Sequence, residues 1–90
     1  MRSLREVLER AAPPGVLEAA RVLQAWEKVA VAEGLRGDAE YRAGRLLVSA
    51  YSSADAQELA LRRESLRRRV NQHLGAEIVR ELRVRSGAAR

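Results

Sequence analysis

The sequence predicts a single α+β domain, a two-layer sandwich in which a three-stranded sheet carries two or three helices on one face. Its 90 residues allow one hydrophobic core. Apolar residues recur at helical spacing in the first third of the chain, and they alternate with polar residues in the middle and near the end. The expected order is α-α-β-β-α-(α)-β, with a short N-terminal helix at 3–12 and a core at 16–86.

Two helices are expected before the first strand. The first has apolar side chains at the i, i+3, i+4 and i+7 positions, namely Leu4, Val7, Leu8 and Ala11. The run Pro13-Pro14-Gly15 should end it. The second helix begins near Val16 and reaches about Glu33, where Gly34 is a suitable stop.

A β-hairpin should follow these helices. Residues 38–43 form its first strand, Ala43-Gly44 its turn and residues 45–51 its returning strand. The side chains of the returning strand alternate between two faces, with Leu46, Val48 and Ala50 on one and Leu47, Ser49 and Tyr51 on the other. The two strands are therefore expected to be antiparallel neighbours.

A long helical segment comes next. Residues 52–55 are typical of a helix start, with Asp55 favourable at the positive end of the helix dipole. Gly75 stands where a glycine commonly ends a helix. Because Arg63 falls on the apolar face of this segment, we expect a break between Arg62 and Ser65, and hence two helices.

The last strand spans residues 78–85 and alternates best at its end. Leu82 and Val84 point inward, whereas Glu81, Arg83 and Arg85 point outward. Since the strand returns after a helical crossover, it can lie parallel to one strand of the hairpin.

The chain is strongly basic. It has 17 Lys and Arg residues against 12 Asp and Glu, for a net charge of +5, and Lys28 is its single lysine. Arginine presents a rigid fork of donors suited to phosphate and carboxylate groups. The charge favours an acidic partner, most naturally nucleic acid. The alternative is that the Arg- and Ala-rich composition reflects genome composition or heat adaptation.

Five arginines within eight residues form the candidate nucleic-acid-binding cluster: Arg62, Arg63, Arg67, Arg68 and Arg69. Glu64 is the only carboxylate among them. Together with Arg83 and Arg85 they can make a continuous basic surface, which would bind phosphates without sequence preference and with steep salt dependence. The alternative is a solvated helix face. Base stacking has little support, since only Tyr41 and Tyr51 can supply exposed rings.

The sequence contains no residue set that supports catalysis, a cofactor or a metal. It has no cysteine, and its only histidine, His73, lacks companions at catalytic or metal-ligand spacing. Glu58 and Glu64 are six residues apart and do not share a helical face. Phosphate-loop and GxGxxG motifs are lacking. We therefore expect a binding protein and not an enzyme, with no cofactor and no small-molecule substrate.

Two local features each admit two interpretations. Residues 34–37 spell GxxG, the clamp of KH nucleic-acid-binding domains, but they lie between a helix and a strand and are interpreted as a loop. Trp26 lies in the apolar stripe of its helix. A core anchor is the favoured role for Trp26, and a partner-binding hot spot is the alternative.

The N-terminal sequence and the hydropathy pattern argue against export or membrane insertion. Residues 1–10 are charged throughout and contain no apolar h-region. No run approaches the roughly 18 apolar residues that a membrane span needs. Together with the lack of cysteine, this agrees with a cytoplasmic location.

Several segments resemble the DciA family, the bacterial replicative-helicase operator proteins. Residues 25–29 (AWEKV) resemble the family's W-x-x-V/I helix signature, and residues 43–48 (AGRLLV) look like its turn and second strand. Residues 52–59 (SSADAQEL) are similar to its S-S-x-W-x-Q-E-L segment. Residues 66–71, 74–75 and 79–85 resemble its closing L-x-x-x-L-N-x-x-L-G and I-R-F-R run. The resemblance covers roughly Leu4 to Gly87.

This resemblance implies a KH-like domain of the type in which a hairpin precedes the helices. It also implies cytoplasmic work in DNA replication, with the hexameric DnaB-type helicase as partner, DNA contact in support and no nucleotide hydrolysis by this protein. Asp55 stands where the family usually has Trp, so the contact made by that aromatic is lost. Many relatives carry a longer disordered segment that helps engage DNA or helicase, and helicase loading by this chain is expected to lack that help.

Three functions follow in order of preference. The first is an adaptor that binds the replicative helicase and DNA, single-stranded or duplex. The second is a stand-alone KH-like binder of DNA or RNA without a helicase partner. The third is a purely protein–protein interaction domain, and an enzyme comes last.

Overall fold

The computed structural model describes residues 15–86, which form three helices and one three-stranded sheet. In chain order the elements are α1 (Val16–Glu33), β1 (Asp38–Arg42), β2 (Arg45–Ser49), α2 (Ser53–Leu61), α3 (Arg63–Leu74) and β3 (Glu81–Arg85). The sheet order is β1-β2-β3, with β1 antiparallel and β3 parallel to β2. The α+β class, the hairpin and the parallel last strand are confirmed. The helix predicted at 3–12 lies outside the described residues.

Helix α1 owes its position to one apolar stripe. Val22, Trp26 and Val29 are buried along it, at the spacing that places them on one side of a helix. Gly34 ends the helix with a φ of 69°, a left-handed conformation that glycine adopts without steric cost. The predicted bounds of this helix are confirmed. None of the helices within residues 15–86 is long and apolar enough to cross a bilayer.

The hairpin turns through Ala43 and Gly44, which both have positive φ, at 50° and 87°. Two central residues with positive φ give the turn geometry that matches the right-handed twist of paired strands. The Tyr41 hydroxyl accepts from the Gly44 N–H at 2.9 Å and donates to Glu18 Oε2 at 2.8 Å, so it fastens the turn to α1. Burial and the hydrogen bond to the Glu18 carboxylate raise the pKa of Tyr41. Tyr41 is also partly buried against the core, so its ring is not free for base stacking.

The break between α2 and α3 falls at Arg62, within the predicted interval. Ser52 begins α2 by accepting from the Asp55 N–H at 3.1 Å, and Arg62 ends it with a ψ of 10°. Leu59 before the break and Leu66 after it are both fully buried. The change of direction lets both leucines enter the core while Arg63 stays exposed.

Within residues 15–86, the helices cover one face of the sheet, and no described element covers the other, the open face. The core joins the inner face of the sheet to α1, α2 and α3 through Val22, Ala25, Trp26, Val29, Ala30, Leu46, Val48, Ala50, Leu59, Leu66, Val70, Val79 and Leu82. Side chains alternate along each strand, so the neighbours of Leu46, Val48 and Leu82 point away from the helices. As far as the described part of the chain goes, the open face is available to solvent or to a partner.

Gly37, the second glycine of the GxxG segment, is required by close packing. A Cβ at this position would lie 2.8 Å from Val48 Cγ1 and 3.0 Å from the Ser49 carbonyl oxygen. A Cβ at Gly34 would meet no atom within 4 Å. The loop interpretation of this segment is confirmed, because one glycine ends a helix and the other lets the chain approach β2.

Gly37→Ala is expected to lower the free energy of unfolding by about 3 kcal/mol, since the added methyl group meets a core side chain and backbone and the φ of 158° also disfavours an L residue. Gly34→Ala is the matched control, with an expected cost of about 1 kcal/mol from its positive φ alone. Urea unfolding followed by circular dichroism measures both. Equal costs for the two variants would contradict the packing role of Gly37.

Candidate nucleic-acid interface

Arg62 and Arg69 share one carboxylate on α1. Both guanidinium groups form ion pairs with Glu33, the last residue of that helix, and Arg62 Nη1 also lies 3.7 Å from Glu58 Oε2. These contacts connect the end of α1 to the junction of α2 and α3. Arg62 and Arg69 therefore hold helices together within their own chain.

Arg67 is more buried than Arg62 and Arg69, with only 15% of its side chain exposed. It forms ion pairs with Glu64 at 2.9 Å and Glu77 at 3.1 Å, and it donates to the Val79 carbonyl oxygen at 3.1 Å. The hydrogen bond from Arg67 lowers the pKa of Glu64, and the bonds to Glu64 and Glu77 raise the pKa of Arg67. Arg67 thus connects α3 to the segment that leads into β3.

Asn71 completes this connection from a buried position on α3, and sequence reasoning gave it no role. Its Nδ2 donates to the Val79 carbonyl oxygen at 2.9 Å and to Glu77 Oε1 at 3.2 Å. Its Oδ1 accepts from the N–H groups of Ile78 at 3.1 Å and Val79 at 2.8 Å. A polar residue beside the apolar Val70 was the signal in the sequence.

Glu64, the only carboxylate within the arginine cluster in sequence, is not the only one that neutralises it in the structure. Glu33 and Glu77 are distant in sequence from Arg62, Arg67 and Arg69, and folding brings them into contact. Among the described residues, Arg63 and Arg68 are the two members of the cluster that form no ion pair, and both are exposed. The cluster therefore offers fewer free charges than its sequence indicates.

Arg83 and Arg85 lie on the other side of the molecule. They alternate with Leu82, which is buried against the helices, so they extend from the open face of the sheet. The helix arginines and the strand arginines consequently face different sides of the molecule. Nucleic-acid binding by these seven arginines stays a prediction.

The strand register adds two arginines that sequence reasoning left out. Arg42 is paired with Arg45 across the hairpin, and Arg45 is paired with Glu81 on β3. The open face thus carries nine side chains in three rows: Arg42, Arg45 and Glu81; Glu40, Leu47 and Arg83; Asp38, Ser49 and Arg85. Alternation along the two hairpin strands was the signal that identifies Arg42 and Arg45.

Glu81 organises two of these arginines. Its Oε1 accepts from Arg45 Nε at 3.0 Å, and its Oε2 accepts from Arg83 Nε at 2.9 Å. The hydrogen bonds from Arg83 and Arg45 lower the pKa of Glu81, so the carboxylate is charged at neutral pH. Arg85 donates from Nε and Nη2 to the Ser49 hydroxyl at 3.3 and 3.2 Å.

The opposite corner of the open face is acidic. Asp38 and Glu40 project from β1, and Asp38 Oδ1 accepts from the Tyr51 hydroxyl at 2.8 Å. This hydrogen bond raises the pKa of Tyr51. The open face therefore has a basic side and an acidic side.

Trp26 is 4% exposed and belongs to the core. This burial agrees with the anchor interpretation. The indole also lines a groove between α1 and β1, beside Leu23, Leu35 and Ala39. Partner binding through Trp26 stays a prediction, and it would require the indole to become more accessible.

The described residues contain no group of three or more His, Cys, Asp or Glu able to hold a metal ion. His73 is exposed near the end of α3. Glu58 and Glu64 each pair with an arginine, Arg62 and Arg67 respectively. Glu58 and Glu64 therefore serve as ion-pair partners of arginines in this fold.

The chain matches the model of one known protein family. The family model described as "Dna[CI] antecedent, DciA" matches residues 3–84, nearly the whole chain. The search of curated proteins found no match to this chain. The matched range includes every helix of the described structure and nearly all of its sheet.

Proposed function

The chain belongs to the DciA family, and from this premise we propose that it acts in bacterial DNA replication as a non-enzymatic adaptor for the DnaB-type replicative helicase. The family match over residues 3–84 is the observation that carries the proposal. The element order of the described residues, with a hairpin before two helices and a last strand, supports a KH-like architecture. A cytoplasmic place of action follows from the proposed role.

DNA contact is the second part of the proposal. The net charge of +5 and the exposed arginines Arg63, Arg68, Arg83 and Arg85 support contact with phosphates. Arg62, Arg67 and Arg69 belong to the same candidate site, although their ion pairs reduce the charge they offer to DNA. Contacts of this kind position a protein on DNA without reading the base sequence.

Helicase capture tests the adaptor role. The full chain, tagged and immobilised, is mixed with the DnaB-type helicase of the same organism at micromolar concentration after nuclease treatment. We expect helicase to be retained, because the proposed contact is between proteins and needs no DNA bridge. Absence of retention at micromolar protein would remove the helicase from the proposal.

A stand-alone nucleic-acid binder is the second candidate, favoured by the exposed arginines on both sides of the molecule. It predicts DNA retention whose affinity falls steeply with salt, and no helicase capture. A salt series of gel shifts on single-stranded and duplex DNA, run beside the capture experiment, distinguishes the two. Helicase capture with no DNA retention at any salt would instead favour a protein–protein interaction domain.

A further inference from the structure

We propose that the open face of the sheet binds single-stranded DNA along a track of four arginines, Arg42, Arg45, Arg83 and Arg85. This inference rests on the proposed DNA contact and assigns it to one face and one form of DNA. Arg42 and Arg45 head the track at the hairpin end of the sheet, and Arg83 and Arg85 continue it along β3. The ligand chemistry is a single sugar-phosphate backbone.

The four arginines of the track lie at short separations fixed by the sheet. Arg83 and Arg85 are two residues apart on one strand, which separates their Cα atoms by about 6.6 Å. Arg42 and Arg45 are direct cross-strand partners, and such pairs lie about 5 Å apart. All four side chains are exposed on one surface. Neighbouring members of the track lie closer together than the Debye length, so salt screens their charges only in part.

Glu81 orients Arg45 and Arg83 but does not occupy the outer nitrogens that would bind phosphate. It accepts only the Nε–H groups of Arg45 and Arg83, so the outer nitrogens of both guanidinium groups have no hydrogen-bond partner among residues 15–86. Arg85 is held by Ser49 and keeps its Nη1 free within the same residues. An arginine that is oriented before binding loses less side-chain entropy when it binds a phosphate. Four arginines against one glutamate leave the track cationic.

The other side chains of the open face favour single-stranded DNA over duplex DNA. Leu47 lies at the centre of the nine side chains, where an apolar group suits the bases and not the phosphates. The carboxylates of Asp38 and Glu40 lie on β1, across from β3. A duplex carries two backbones and would bring one of them toward these carboxylates, whereas a single strand can follow the arginines alone. The nine positions include no aromatic side chain, so binding is driven by charge and tolerates any sequence.

Fluorescence anisotropy with a labelled oligothymidylate, and with a duplex of equal length, tests the track. The variant Arg45→Gln/Arg83→Gln should bind the single strand about tenfold more weakly at low salt. Its slope of log affinity against log salt should be shallower by about 1.4, since each lost phosphate contact removes about 0.7. Arg21→Gln/Lys28→Gln makes the same charge change at two exposed positions of α1 that lie outside the candidate interface, and it should stay within about twofold of the wild type. Thermal unfolding confirms that both variants fold.

Glu40→Gln gives an independent readout of strand selection. Removing this carboxylate should strengthen duplex binding more than single-strand binding, because the second backbone of a duplex is brought toward Glu40, whereas a single strand meets β1 only at Arg42. Unchanged affinity of the Arg45/Arg83 variant, or an equal loss in the Arg21/Lys28 variant, would overturn the track. Tighter wild-type binding to duplex, or to RNA of the same sequence, would overturn the assignment to single-stranded DNA. Helicase capture by the wild type is measured separately, so failure of the adaptor role is distinguished from failure of the track.

Discussion

Trp26→Ala is expected to lower the free energy of unfolding by about 4 kcal/mol. The indole is 4% exposed at the centre of the α1 stripe, and its removal leaves a cavity between that helix and the sheet. A domain of this size has a total stability of about 5–13 kcal/mol, so the variant should lose a large part of its stability. Urea unfolding followed by circular dichroism measures the difference.

Val31→Ala is the control on the same helix, because Val31 is 77% exposed. Its expected effect is within about 0.5 kcal/mol. Similar losses in the two variants would contradict a core role for Trp26.

The conservative variant Trp26→Phe separates the core role from a partner role. Phenylalanine retains most of the buried apolar area, so this variant should fold and should capture the helicase as the wild type does. A folded Trp26→Phe variant that loses helicase capture would instead establish the indole as a partner contact.

Asn71→Ala is expected to lower the free energy of unfolding by about 3 kcal/mol. Its side chain makes four hydrogen bonds to residues 77–79, and three of these satisfy backbone groups of Ile78 and Val79. Alanine leaves the buried Val79 N–H without a partner, which costs more than the net value of one bond, while the Ile78 N–H keeps the Ala76 carbonyl and the Val79 carbonyl keeps Arg67. Urea unfolding gives the total cost.

Hydrogen exchange identifies the local cause. The Val79 amide should exchange faster in Asn71→Ala, because Asn71 Oδ1 is its acceptor, and the Ile78 amide should change less because it also donates to the Ala76 carbonyl oxygen. Gln72→Ala, at the next and exposed position of α3, is the control and should change neither the stability nor these amides. Unchanged exchange at residues 78 and 79 would contradict the proposed role of Asn71.

The ion pairs of Arg62, Arg67 and Arg69 affect how DNA-binding variants are chosen. Replacing Arg67 removes contacts with Glu64, Glu77 and the Val79 backbone, so a lower affinity would combine lost charge with a loosened fold. Arg63 and Arg68 avoid this difficulty because they form no ion pair among residues 15–86. Variants of exposed arginines therefore report on binding with the least structural disturbance.

Local sequence signals determined most of the secondary structure. Gly34 and Gly75 end helices because each adopts the left-handed conformation that glycine tolerates, and Ser52 begins one through its side-chain oxygen. The position of Arg63 on an apolar face indicated the break at Arg62. These signals act within a few residues of the chain, which is why they can be read from the sequence.

Only the tertiary structure decided which arginines are paired with carboxylates on the helix side and on the open face of the sheet. The sequence presents five neighbouring arginines as one cluster, but Glu33 and Glu77 approach them only after α1 and the segment before β3 have packed. Likewise, Arg45 and Arg83 are far apart in the chain and meet at Glu81 only through the parallel register of β2 and β3. Charge pairing depends on distances of a few ångströms between distant residues, and strand register and helix packing set those distances. The sequence alone therefore predicted a basic binding protein, and the fold decided which of its arginines remain free to bind.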